Sequence, residues 1–128
     1  MKVVQELVAY FDRSGQLSKR QVRQLLDKGY LASDAPPNML ELSGTVGTPY
    51  YFRVRGDAEG PLWGTDIYTG DSALSVAAVH AGLLKVGETA VLKITIVAPQ
   101  PQYHGCVRNN VTSHDFGRYG SAYQLSAI

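Results

Sequence analysis

The chain has 128 residues, 45% hydrophobic and 18% charged, a balance that excludes a disordered or fibrous chain and suits one domain with one core. With 12 basic and 11 acidic residues the formal charge is +1, which gives no electrostatic case for nucleic acid or an anionic membrane as partner. The sequence holds no apolar run of about 18 residues, so no segment is expected to span a bilayer.

Val4, Leu7, Val8 and Phe11 share one face of a helix predicted over residues 2–12. Gln5, Glu6 and Asp12 interrupt this stretch, unlike the continuous apolar core of a signal peptide. Asp12-Arg-Ser-Gly15 breaks the helix. A calcium loop counted from Asp12 fails, because its glycine falls early and Arg23 stands where the closing Glu is needed. Ser18 and Gln21 have the spacing of a capping box. Val22, Leu25 and Leu26 form the stripe of a second helix, which Gly29 ends. Residues 1–32 thus read as a helical hairpin. Its stripes exceed what two short helices bury between themselves, so it is expected to cover the β domain, a second copy or another protein, the last two being favoured by the linker that follows. Residues 33–38, Ser-Asp-Ala-Pro-Pro-Asn, read as a linker. Residues 39–128 form the main domain.

From Leu40 the apolar period changes to two. Tyr50, Phe52 and Val54 alternate with Tyr51, Arg53 and Arg55; Leu92, Ile94 and Ile96 alternate with Lys93, Thr95 and Val97. Shorter strand signals lie at 40–46, 61–67 and 121–126, separated by glycines. Between them, Asp71 or Ser72 is expected to cap a helix that runs to about Ala81 and ends at Gly82. Leu74, Val76, Ala77, Ala78, Val79 and Ala81 leave it almost no polar face, so it is expected to be buried. The fold class is α+β: antiparallel strands wrapped around a central buried helix, preceded by the hairpin.

His80 is the one large polar group within that helix. It reads either as a general base beside Asp66 or Asp71, the basis of a small hydrolase-like enzyme, or as a neutral core histidine with structural partners. Ser72 lacks the Gly-x-Ser-x-Gly setting of a nucleophile and reads as a cap. His104, Cys106, His114 and Asp115 lack the paired spacing of zinc ligands, so neither metal nor cofactor is expected. Tyr103 to Tyr119 interleaves aromatics, amides and Arg. Tyr103, Arg108, Asn109, Phe116 and Tyr119 are the candidate ligand-binding residues, by aromatic stacking and the Arg donor fork. The alternative is a long loop whose amides serve its own backbone. Cys106 is the single cysteine, so an intrachain disulfide is impossible. That suits a reducing, cytoplasmic location, with an extracellular one as the alternative. The Asn110-Val111-Thr112 sequon reads as accidental on the same grounds.

Tyr68 to Gly82, YTGDSALSVAAVHAG, reads Tyr-x-x-x-Ser-x-x-Ser-x-Ala-Ala-x-His-x-Gly. It resembles the signature of the LCCL domain family at Tyr68, Ser72, Ala77, Ala78, His80 and Gly82, with Ser75 where the family usually has Cys. Trp63-Gly-Thr-Asp66 resembles the strand before it. Arg108-Asn-Asn-Val-Thr-Ser113 resembles the second block, Arg-Asn-Gly-Val-x-Ser, with Asn110 in place of Gly. The resemblance covers roughly Met39 to Leu125. It implies the same strand-wrapped helix and a non-catalytic binding or adaptor module, with carbohydrate or lipopolysaccharide as the ligand class. Better-known members are secreted and disulfide-bonded, so this chain is read as a cysteine-poor, bacterial-type member. A purely structural assembly subunit is a further alternative.

Overall fold

Two long alternating segments build the sheet. In the computed structural model, which describes residues 18–27, 33–42 and 44–128, they are β2 (Pro49–Arg55) and β5 (Thr89–Val97). They pair antiparallel from Pro49↔Thr95 to Arg55↔Thr89. Around them lie α1 (Lys19–Asp27), β1 (Ser33–Asp34), a 3-10 turn (Leu40–Leu42), β3 (Gly64–Thr65), β4 (Ile67–Thr69), α2 (Leu74–His80), β6 (Val107–Arg108), β7 (Val111–Thr112) and β8 (Ala122–Ser126). The fold is mixed α/β, mostly strands with few helices. Six strands form one sheet in the order β1-β2-β5-β8-β4-β3, and β6 and β7 form a separate pair. All the pairings of the large sheet are antiparallel except β1 with β2.

Period-two patterning decides what each sheet face does. Phe52, Val54, Leu92, Ile94 and Ile96 point into the main core, where Tyr50 stacks on Phe52 with ring centroids 6.0 Å apart. Arg53 and Arg55 are exposed, as the alternation predicts. Tyr51 and Val91 depart from it: they lie on the other face and are covered by Val22 and Leu25 of α1, with Ile128 beside them. The expected capping box at the start of α1 is present. Ser18 N–H donates to Gln21 Oε1 (2.7 Å) and Gln21 N–H donates to Ser18 Oγ (3.2 Å). The expected first helix, residues 2–12, lies outside the described residues.

The segment that begins at Ser33 is also tied to the sheet. β1 pairs parallel with β2 at Ser33↔Phe52 and Asp34↔Arg53. Ala35 N–H continues the ladder to Arg53 C=O (3.0 Å).

α2 buries Leu74, Val76, Ala77, Ala78, Val79 and His80, as an all-apolar helix requires. It starts later than the sequence suggests, because neither Asp71 nor Ser72 caps it. The N-cap is Ala73, extended at φ −67° and ψ 124°, with no side-chain cap. Carbonyls from neighbouring loops act instead: Ala73 N–H donates to Pro61 C=O (2.8 Å) and Leu74 N–H to Pro37 C=O (3.0 Å). The helix end is as expected. Gly82 sits at φ +81°. Its N–H donates to Val79 C=O and that of Leu83 to Ala78 C=O, both at 3.0 Å, the paired bonds of a Schellman motif.

Candidate functional site

His80 is fully buried. Its Nε2 lies 3.0 Å from the Cys106 carbonyl and its Nδ1 lies 2.9 Å from the Tyr68 hydroxyl. A carbonyl can only accept, so Nε2 carries the proton. Nδ1 of the neutral ring then accepts from Tyr68 O–H. Burial pushes the Tyr68 phenol up to about 12, and the backbone amide of Asp66 partly offsets this. The phenol therefore stays a donor at neutral pH. Both imidazole nitrogens are thus engaged in joining α2 to β4 and to the residue before β6. Asp66 instead pairs with Arg108, and Asp71 faces the Tyr119 hydroxyl.

Ser72 is equally occupied. Its Oγ accepts from Trp63 N–H (3.0 Å), lies 2.8 Å from Thr69 Oγ1 and approaches Trp63 C=O at 3.3 Å. Tyr123 O–H donates to Ser72 C=O (2.8 Å). The hydroxyl is buried, a poor position for a nucleophile. Ala77 and Ala78 are buried in α2, and Gly82 closes it. The Tyr68–Gly82 signature therefore maps onto one hydrogen-bonded core unit.

The second block forms a hairpin. Val107 pairs with Thr112 and Arg108 with Val111, leaving Asn109 and Asn110 as a two-residue loop at φ 53° and 62°. Positive φ at both central residues is the type I′ turn that suits a hairpin's twist, and Asn accepts it readily. Arg108 Nη1 bonds Asp66 Oδ1 at 2.8 Å, and this carboxylate pushes the guanidinium pKa up. Asn109 Nδ2 donates to His80 C=O (3.1 Å). Ser113 Oγ donates to Gly64 C=O. Arg108 and Asn109 thus tie the hairpin to the Asp66 reversal (φ 67°) and to the end of α2.

The aromatic candidates sit elsewhere and divide into two layers. Tyr103 is buried. It exchanges backbone hydrogen bonds with Phe116 (2.7 and 2.9 Å). Its hydroxyl accepts from Gln100 N–H (3.0 Å) and donates to Tyr119 C=O (3.3 Å). Phe116 is 43% exposed and meets Trp63 and Tyr119 edge-on, with centroids 6.2 and 5.7 Å apart. Burial raises the Tyr119 phenol pKa, and the facing Asp71 carboxylate adds to it. Asp71 Oδ1 is buried without a hydrogen-bond partner.

So the five predicted ligand residues do not converge. Phe116 and Tyr119 share a surface with Trp63, Tyr103 supports it from beneath, and Arg108 and Asn109 bond into the scaffold. Trp63 was missed as a member of this surface. It reaches Phe116 through its bridge to His114 and the Tyr103–Phe116 bridge, long-range pairings without a local sequence signal. Among the described residues no three His, Cys, Asp or Glu side chains gather to hold a metal. Cys106 Sγ lies 3.3 Å from Thr65 Oγ1, whose hydroxyl donates to His104 C=O (2.8 Å).

The LCCL domain family profile matches residues 46–123, which include the whole signature, the hairpin and the aromatic surface. The chain belongs to the LCCL domain family. One curated relative is the human protein named cysteine-rich secretory protein LCCL domain-containing 2. This LCCL chain is 33% identical to it over 70 residues, 53% of this chain and 14% of that protein. The chain therefore spans a small part of that relative's length. LCCL domains are binding and interaction modules and are generally non-enzymatic.

Proposed function

We propose that this LCCL domain is a non-catalytic recognition module whose ligand, a glycan or glycolipid headgroup, meets the surface formed by Trp63, Phe116 and Tyr119. One observation carries the reading: the polar groups of the signature are buried and bonded within the fold, whereas Phe116 is exposed beside two further rings. Aromatic faces stack on the apolar faces of sugars. Asp71, which faces the Tyr119 hydroxyl, holds that ring's edge at the surface. Arg108 serves in this reading as a brace for the hairpin. The hydrolase alternative has less support, because it needs His80 as a base and His80 already bonds Tyr68 and Cys106. A reducing compartment fits a chain whose single cysteine is a free thiol. The association role expected of the hairpin depends on residues 1–17, outside the described residues. Its described helix, α1, turns Val22 onto Tyr51.

A glycan array probed with the wild type and with Phe116→Ala tests this reading. Glycan binding that Phe116→Ala abolishes supports it. Binding that survives Phe116→Ala with the fold intact moves the site elsewhere, and the absence of glycan binding removes the ligand class.

A further inference from the structure

The outer edge of the sheet at Arg55 offers a second, separate site. β2 is seven residues long and its outer neighbour β1 only two. In an antiparallel pair, successive residues turn their main-chain groups alternately toward and away from the partner. Gly56 N–H donates to Glu88 C=O (2.9 Å), next to the β2–β5 ladder, while Arg53 C=O accepts from Ala35 N–H on the opposite side (3.0 Å). Even-numbered residues of β2 therefore face β5, and odd-numbered ones face outward. Arg55 is turned outward just beyond the end of β1. The chain leaving β1 continues as Ala35-Pro36-Pro37, and proline has no N–H to offer. Pro37 C=O is occupied by Leu74 N–H. Among the described residues, no main-chain hydrogen bond meets Arg55 on this side.

A groove of about 420 Å³ lies there, lined by Asp34, Pro36, Arg53, Arg55, Asp57 and Ser75 among others. That volume suits a small molecule or a few peptide residues. Arg53 is held by Asp34 at 2.9 Å. Arg55 and Asp57 form no ion pair among the described residues. The lining arginines are balanced by the lining aspartates, so the groove has no net charge with which to select a simple anion. An outward N–H and C=O on one residue are matched best by another main chain.

We propose that this groove binds a short extended peptide segment of a partner protein. The segment continues the sheet at Arg55 and brings an acidic side chain to Arg55 and a basic one to Asp57. This site shares no residue with the Trp63–Phe116–Tyr119 surface.

The test uses isotope-labelled full-length chain and a capped peptide pool of the pattern X-Glu-X-Lys-X, where X is Val, Thr or Ser. The expected result is saturable shifts of the Arg55 and Ser75 amides. Binding should weaken about tenfold or more when Glu and Lys are both Ala, when the central residue is N-methylated, or when the protein carries Arg55→Ala or Asp57→Ala. The proposal is overturned if the pool gives no saturable shift at Arg55, as when the chain's own residues fill the groove. It is also overturned if N-methylation changes nothing, or if inorganic phosphate alone reproduces the shifts.

Discussion

The 2.9 Å hydrogen bond between Tyr68 Oη and His80 Nδ1 has its direction set by a third group. Because the Cys106 carbonyl claims the Nε2 proton, the phenol must donate to the neutral ring. His80→Ala would leave the Tyr68 hydroxyl and the Cys106 carbonyl without this partner and open a cavity beside β4. The expected loss is about 2–4 kcal/mol, from the unsatisfied groups and the cavity together. Tyr68→Phe should cost about 1–2 kcal/mol, since it removes only the donor. Urea unfolding of both variants measures this. A His80→Ala variant as stable as the wild type would show that the ring is dispensable to the fold.

Tyr68 also sets an alkaline limit. In the unfolded chain its phenol ionises near the ordinary value of 10, whereas in the fold burial raises it to about 12. Between these values the unfolded chain releases a proton that the folded chain keeps, so stability falls as pH rises. It is fully present below pH 10 and is lost progressively up to about 12, by on the order of 2–3 kcal/mol. Burial raises the Tyr123 phenol well above its ordinary value too, which adds to the same limb. Denaturation midpoints from pH 8 to 11.5 should drop steeply for the wild type and less steeply for Tyr68→Phe. Parallel curves for the two proteins would assign the alkaline loss to other groups.

The Asn109-Asn110 loop gives a prediction of opposite sign. Asn110 sits at φ 62°, where glycine has no steric penalty. Asn110→Gly should therefore leave the domain as stable or slightly more so. Asn110→Val should destabilise it by about 1–2 kcal/mol, because a β-branched residue is strained there. Thermal melts of the two variants decide. Equal melting temperatures would mean that the turn relaxes without cost.

How much of this was legible in the sequence depended on how local each cause was. The core-facing residues of β2 and β5, the capping box at Ser18 and the glycine end of α2 follow from neighbours within four residues, and they are as predicted; the cover over Tyr51 comes from distant α1 and is not. The I′ turn is also readable, since paired asparagines between short β-prone runs signal it. The start of α2 was not readable. Its amides are satisfied by Pro61 and Pro37, carbonyls that only the tertiary fold brings near. That the five candidate residues do not lie together was hidden for the same reason. Arg108 looks free to bind until the fold sets Asp66 beside it.

The Arg108–Asp66 pair is solvent-accessible on both sides, with side chains 38% and 70% exposed. Exposed pairs contribute little, so Arg108→Ala should cost no more than about 1 kcal/mol. Asn109→Ala should cost more, because it frees the His80 carbonyl and places Ala at positive φ. A large loss for Arg108→Ala in high salt, where the pair is screened, would give Arg108 a packing role instead.

The contact of α1 with Tyr51 bears on what residues 1–36 do. Val22 is 4% and Tyr51 3% exposed, and Arg23 Nη2 donates to Ile128 C=O at 2.9 Å. Burial of one aliphatic side chain such as Val22 is worth about 1.5–3 kcal/mol. Deleting residues 1–36 would remove this cover. It would also remove β1 and Ala35, leaving the outward edge of β2 at Arg53 unpaired. Open edges and exposed aromatics invite self-association. The truncated chain is therefore expected to unfold at lower denaturant and to form larger species in sedimentation. Val22→Asp should reproduce the loss of stability but not the open edge, which separates the two effects. If α1 were only an external association element, the truncated chain would be as stable as the full one and monomeric. That outcome would sink the docking role assigned to Val22.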